Sequence, residues 1–177
     1  MIKDLAAIVA CILTAYFVAI AATVEGLLLY GAPIILLCAV VSFVVHWIIA
    51  VPSVLTSSEK YFDLTGMIAT LLVVFTAMFA LLNSGQQGSI RSTIVAIFVS
   101  IWTLRLGTFL YKRIIKSGED TRFREIKKSL LKFLMAWTLS ALWVFLTTVN
   151  AITVIALNSQ EPLGLFFLIG AILWILG

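Results

Sequence analysis

The sequence predicts an all-α, polytopic integral membrane protein: one domain built as a bundle of about six transmembrane helices. Three observations support this prediction. Hydrophobic residues make up 63% of the 177 residues and charged residues only 11%. The mean hydropathy of +1.18 is far above that of a water-soluble domain. The apolar residues also form runs of about 20, the length that a helix needs to cross a bilayer. This composition excludes an enzyme that works wholly in water.

Six apolar runs bounded by polar or turn residues are the candidate spans. The first has Lys3 before it and an alanine-rich end, so a cleaved signal peptide is the alternative reading there. Asp4 offsets Lys3, however, and apolar sequence resumes at Leu27, which favours a span. The sixth run is short and reaches Gly177 without a flanking charge, so we expect this sequence to be the front part of a longer protein. The runs are Leu5 to Val24, Ala32 to Val54, Leu64 to Leu82, Ile94 to Tyr111, Leu130 to Leu157 and Pro162 to Gly177.

The basic residues predict the orientation of the bundle. Eight lie in or beside the loop between the fourth and fifth spans, and alternation of the spans puts Lys3 and Lys60 on the same side, with Arg91 alone opposite. The positive-inside rule therefore predicts that this loop and the N-terminus are cytoplasmic. Because the basic residues adjoin apolar runs rather than forming a basic domain, they indicate orientation and not nucleic-acid binding. The eight are Lys112, Arg113, Lys116, Arg122, Arg124, Lys127, Lys128 and Lys132.

Ionisable residues inside the spans are candidates for function, because a charge in hydrocarbon is costly. Arg105 precedes Lys112 by seven residues, which places it about 10 Å inside the fourth span. His46 has a similar depth in the second span, so we expect Arg105 to face a polar pocket in the bundle that His46 could share. The alternatives are a snorkelling arginine and an ordinary hydrogen-bonded histidine. No metal site is predicted, because His46 is the only histidine and neither Cys11 nor Cys38 is near it in sequence.

The loop after the fourth span combines charges that suit a polar ligand. Gly118 can end the fourth helix, and Asp120 and Arg122 then stand at the membrane surface. Arginine forks bind phosphate and carboxylates accept from sugar hydroxyls, although a solvated, salt-bridged turn is the alternative. The next apolar positions share one helical face, which predicts a helix lying in the membrane interface. These positions are Phe123, Ile126, Leu130 and Phe133.

The loop after the second span also gathers ionisable groups beside a membrane end. It contains Glu59, Tyr61 and Asp63. The alternative to a functional role is that Asp63 caps the third helix while Tyr61 anchors at the interface.

Three stretches together resemble the bacterial members of the steroid 5α-reductase superfamily, in its domain-of-unknown-function branch. They are SEKYFDLTG at 58–66, WTLRLG at 102–107 and GEDTRF at 118–123. The resemblance covers about Thr56 to Gly177. It implies a helical protein of the bacterial inner membrane in which NADPH enters from the cytoplasmic side. A hydride would then pass to the β-carbon of a conjugated alkene in a steroid- or isoprenoid-like substrate that arrives from the lipid.

The resemblance also implies roles for individual residues. Cofactor contacts fall to Arg105, Asp120 and Arg122. Glu59 and Tyr61 are the implied catalytic pair, with Tyr61 as proton donor. The substrate side is assigned to His46 and Asp63.

One departure from the family pattern leaves the activity open. Family members continue into an E-x-x-A-D-x-Q-K-like segment and an S-R-H-P-N-Y-x-G-E-like motif that supply much of the nucleotide site, and neither occurs in this sequence. A related membrane methyltransferase that uses S-adenosylmethionine, of the isoprenylcysteine or phospholipid type, is therefore an alternative. A non-catalytic protein that binds membrane lipid is another.

Overall fold

The computed structural model describes residues 2–23 and 27–177, and this part of the chain is almost entirely helical. Five helices are long and apolar enough to cross a membrane, which confirms the all-α membrane fold. The predicted end of the first span at Val24 lies outside the described residues. The elements are α1 Ile2–Ala21, β1 Leu28–Leu29, β2 Ala32–Pro33, α2 Ile34–Leu55, α3 Phe62–Asn83, α4 Ile90–Ser117, α5 Phe123–Ile126, α6 Leu130–Leu157 and α7 Leu165–Leu176.

A two-residue hairpin leads into α2. Leu28 pairs with Pro33 and Leu29 with Ala32 in antiparallel register. The turn residues Tyr30 and Gly31 both have positive φ, 52° and 82°. Positive φ at both positions is the geometry of the tight turn that matches the twist of a hairpin. The hairpin therefore reverses the chain just before α2 begins.

Helix α6 is the centre of the bundle and packs against α1, α2, α3 and α4. Its interface with α2 contains direct polar contacts: Ser42 Oγ donates to the Ala141 carbonyl at 2.8 Å, and Trp47 Nε1 donates to Thr138 Oγ1 at 3.1 Å. Such hydrogen bonds help to hold helices together where lipid removes the hydrophobic drive for association. Trp137 of α6 is fully buried and fills the space between these helices near the start of α3.

The helices reverse at each short connection, so the bundle has two distinct ends. We call the end that carries the start of α3, the end of α4, all of α5 and the start of α6 the basic end. At the opposite end Asn158, with φ of 45°, terminates α6. Its side-chain oxygen accepts from the Ser89 N–H at 2.7 Å, and Ser92 Oγ donates to the Val154 carbonyl at 3.3 Å. The opposite end therefore ties α6 to the start of α4.

Two predicted elements differ in the structure. The sixth apolar run forms α7, a helix of 12 residues, whose Trp174 stacks on Phe98 of α4 at 4.2 Å. The predicted interfacial helix is wrong, because α5 is a single turn and α6 starts anew at Leu130. The side chain of Leu130 is exposed, whereas Phe123 is buried within the protein rather than in lipid.

Candidate functional site

A cavity of about 420 Å³ lies between α3, α4 and α6 and is bordered at the basic end by Phe123 and Ile126 of α5. Its wall is mainly apolar. Trp102 and Leu106 of α4 and Leu139 and Trp143 of α6 line the cavity and are also exposed on the outer surface of the bundle. The cavity therefore opens sideways between α4 and α6, toward the region that the bilayer occupies.

Charged side chains stand where the cavity meets the basic end. Asp63 and Arg122 both line it. Arg113 bridges two carboxylates, at 3.6 Å from Asp63 and 3.9 Å from Asp120. Asp120 in turn accepts from Nε of Arg122 at 3.0 Å and from the Arg122 backbone N–H at 3.0 Å. We call Asp63, Arg113, Asp120 and Arg122 the charged mouth of the cavity.

Buried Glu59 holds the loop that carries the charged mouth. One carboxylate oxygen accepts from the Asp120 backbone N–H at 2.9 Å, and the other accepts from Lys127 Nζ at 2.7 Å. Burial raises the pKa of Glu59, but these donors outweigh it and leave the pKa below its ordinary value. The hydrogen bonds from Arg122 likewise lower the pKa of Asp120, against the effect of burial. Both carboxylates are therefore ionised at neutral pH.

Acid should loosen this loop. Because Glu59 and Asp120 have lower pKa values in the folded protein than in the unfolded chain, the unfolded chain binds more protons in acid. The stabilisation is complete above about pH 4 to 5 and is lost as the pH falls through the folded-state pKa values. We expect the protection of residues 118–129 against hydrogen exchange, measured relative to unprotected amides at the same pH, to fall below about pH 4. The acid response should be smaller in Glu59→Gln, and an identical response in the two proteins would contradict this assignment.

Arg105 does not join the charged mouth. It lies on the exposed face of α4, opposite the buried Thr103 and Gly107, and its side chain forms no hydrogen bond or ion pair with residues 2–23 or 27–177. The expectation that it faces a polar pocket inside the bundle is therefore not met. The 3.6-residue repeat explains this, since α4 turns Thr103 and Gly107 inward and so turns Arg105 outward. Its position fits a snorkelling side chain.

His46 is fully buried between α2 and α6. Its Nδ1 lies 2.8 Å from the Ser42 carbonyl, and its Nε2 lies 3.1 Å from Ser140 Oγ. Because a carbonyl can only accept, Nδ1 carries the hydrogen, and the neutral ring accepts from Ser140 at Nε2. Ser140 lines the cavity and His46 does not. His46 therefore reaches the site through Ser140, and it is not near Arg105.

Tyr61 and Glu59 do not line the cavity that Asp63 and Arg122 line. The Tyr61 ring stacks on Tyr111 at 6.4 Å and lines a separate apolar cavity between α2 and α3. Asp63 is not the cap of α3, because Tyr61 occupies the cap position without a side-chain hydrogen bond. Of the predicted residues, the structure brings Asp63, Asp120 and Arg122 together. Glu59 contacts this group through the Asp120 backbone N–H, whereas Tyr61 lines the other cavity.

A comparison with known families gives one match. The family described as a protein of unknown function, DUF1295, matches residues 46–177, which is most of the chain. The chain belongs to the DUF1295 family. DUF1295 is the steroid 5α-reductase-like branch, so the resemblance drawn from the three sequence stretches is confirmed at the level of the family. No curated protein and no solved structure matches the sequence.

In this DUF1295 protein the match begins at His46, within α2, and includes every helix that lines the cavity. Sequence reasoning missed three residues of the site: Arg113, Thr103 and Ser140. A signal for Thr103 was present, since Thr103 and Gly107 are small residues four apart and mark the inward face of α4. Arg113 and Ser140 carried no such signal, because their partners Asp63 and His46 are distant in sequence.

Proposed function

We propose that the protein is a membrane-embedded, NADPH-dependent reductase of a conjugated C=C bond in a hydrophobic, steroid- or isoprenoid-like substrate. The observation that carries the proposal is the cavity itself: it is apolar, open toward the bilayer between α4 and α6, and bounded at the basic end by Asp63 and Arg122. A reductase of this kind needs a dry chamber for an apolar alkene beside a polar surface for a nucleotide.

The dimensions and position of the cavity suit the substrate. A volume of about 420 Å³ falls in the range of pockets that hold small organic molecules. Exposed Leu139 and Trp143 lie at the lateral opening, so an apolar molecule can pass from the lipid without crossing a polar surface. The walls then exclude water from the reacting bond.

The donors at the basic end suit the cofactor. Between Lys112 and Lys132 the sequence has eight basic and three acidic residues, a surplus of five positive charges, which attracts a polyanionic nucleotide. The side chains of Arg122 and Arg113 keep much of their surface exposed, and both arginines pair with Asp120. They would hold the phosphates, and NADPH when bound supplies the hydride. We propose that this end faces the cytoplasm, in accordance with the positive-inside rule.

Nucleotide binding should depend on Arg122 far more than on Arg105. We expect Arg122→Ala to weaken NADPH binding by roughly tenfold to a hundredfold, because a charge-assisted hydrogen bond and its orientation are lost. Arg105→Ala should change the affinity less than about twofold, because Arg105 lies on the outer face of α4. The measurement is NADPH fluorescence titration of protein in nanodiscs.

Arg124→Ala is the matched control for Arg122→Ala. Arg124 lies in the same loop and pairs with Glu119, but it does not line the cavity. Equal losses in Arg122→Ala and Arg124→Ala would reduce the proposed site to a nonspecific basic surface.

The reaction itself is tested by isotope transfer. Protein in nanodiscs is incubated with NADPH deuterated at the hydride position and with a panel of hydrophobic enones. We expect deuterium at the β-carbon of a reduced product. Binding of S-adenosylmethionine in place of NADPH would overturn the proposal in favour of a methyltransferase, and binding of neither would favour a lipid-binding protein.

A further inference from the structure

Thr103 of α4 differs from the other buried threonines of the helices. Threonine in a helix commonly donates its hydroxyl to the carbonyl four residues earlier. Thr103 is 4% exposed, yet its hydroxyl has no hydrogen-bond partner in the described part of the chain. The threonines that make the usual bond are Thr65, Thr70, Thr138 and Thr148. A donor in a residue buried to this extent is costly to leave unpaired unless a molecule in an adjoining space binds it.

The free hydroxyl of Thr103 faces the cavity. Thr103 is one of the residues that line it. Within residues 2–23 and 27–177, the side-chain polar atoms that are both fully enclosed and unpartnered are Arg91 Nε and Trp137 Nε1. The Thr103 oxygen is not among them, so it retains some accessible surface. Because Thr103 lines the cavity, we infer that its hydroxyl is accessible from there.

The hydroxyl lies well away from the charged mouth. A Cβ placed on Gly107 would come within 2.5 Å of Met67 Cβ, so Gly107 and Met67 mark the same level of the bundle. Thr103 is one turn deeper on α4, and Asp63 is one turn closer to the basic end on α3. At 1.5 Å per residue the two are about 12 Å apart along the bundle. The cavity therefore has a polar group near each end and an apolar wall between them.

We propose that Thr103 determines ligand specificity. Its hydroxyl donates a hydrogen bond to a neutral oxygen of the bound ligand, at the end of the cavity far from the charged mouth. The ligand class is then an elongated apolar molecule with two oxygen functions, one at the charged mouth and one about 12 Å away at Thr103. This inference rests on the proposed function only in taking the cavity as the substrate site.

The test uses the tryptophans of the cavity wall. A long-chain bromoalkane should quench Trp102 and Trp143, and straight-chain diols of increasing length are titrated as competitors in nanodiscs without nucleotide. We expect the best diol to bind about tenfold more weakly to Thr103→Val, which keeps the shape and loses the O–H. The affinity of the bromoalkane, which has no oxygen, should stay within about twofold.

Thr147→Val is the matched control. Thr147 also lines the cavity, but its hydroxyl already donates to the Trp143 carbonyl at 2.9 Å, so diol binding should be unchanged. Equal diol affinity in Thr103→Val and the original protein would overturn the proposal, as would equal losses for diol and bromoalkane. Since no nucleotide is present, diol recognition by a protein that fails to bind NADPH would refute the proposed function and leave this inference standing.

Discussion

Replacing Glu59 with alanine should lower the free energy of unfolding by about 3 kcal/mol, the cost of breaking a buried ion pair by removing one partner. The Glu59 side chain is 5% exposed and Lys127 is 20% exposed. The variant leaves Lys127 Nζ and the Asp120 backbone N–H without their acceptor. The first consequence should be release of the loop, seen as faster hydrogen exchange at residues 118–129, with a lower unfolding temperature in nanodiscs.

Glu125→Ala is the matched control for this prediction. Glu125 pairs with Lys128, and both side chains are largely exposed, so the change should cost less than about 0.5 kcal/mol. Glu59→Gln keeps one acceptor oxygen and should fall between the two. If Glu59→Ala were as mild as Glu125→Ala, Glu59 would not be what holds the loop.

A methyl group added at Gly107 should destabilise the bundle by about 1 to 3 kcal/mol through overpacking. The new Cβ would lie 2.5 Å from Met67 Cβ and 2.7 Å from its Sδ. Cβ of Met67 is fixed to the backbone of α3, so α3 and α4 must move apart. Because both helices line the cavity, Gly107→Ala should also change bromoalkane quenching of the cavity tryptophans.

Gly170→Ala provides the comparison for Gly107→Ala. Gly170 lies in α7, and an added Cβ there meets no atom within 4 Å. This change should be neutral or slightly stabilising, since alanine is the better helix former. The measurement is the thermal unfolding midpoint in nanodiscs, and similar midpoints for the two variants would contradict the close approach of α3 and α4.

The fold was largely predictable because it is determined by the length of the apolar runs in the sequence. Runs of about 20 apolar residues leave few structures other than spanning helices, and Gly118, with φ of 80°, ends α4 as its sequence indicates. The predicted interfacial helix failed for a local reason. Its pattern continued through Phe133, but the backbone turns at 127–129, and the apolar stripe is divided between two helices.

The site was only partly predictable from the sequence. Asp120 and Arg122 are two residues apart, so their contact follows from local spacing. The contacts of Arg113 with Asp63 and of Glu59 with the Asp120 backbone depend on how α3 meets the end of α4. Arg105 was predicted to be functional because it is a charge within a span. Which way its side chain points depends on which face of α4 packs inward, and the charge alone does not show that face. The spacing of Thr103 and Gly107 could indicate that Thr103 faces inward, but its unpaired hydroxyl could be recognised only from the structure.

The hydrogen bonds around Asn158 join α4 and α6 at one end, so the two helices can separate by pivoting about that end. In the described part of the chain, the hydrogen bonds that join these two helices directly lie at the end far from the basic loop. Ser140 is 18 residues from Asn158 along α6, a lever of about 27 Å. A pivot of about 5° at Asn158 would therefore widen the lateral opening by about 2 Å. Admitting a bulky ligand can thus leave the Asn158 hydrogen bonds intact, while the loop that Glu59 holds connects the two helices at their other end.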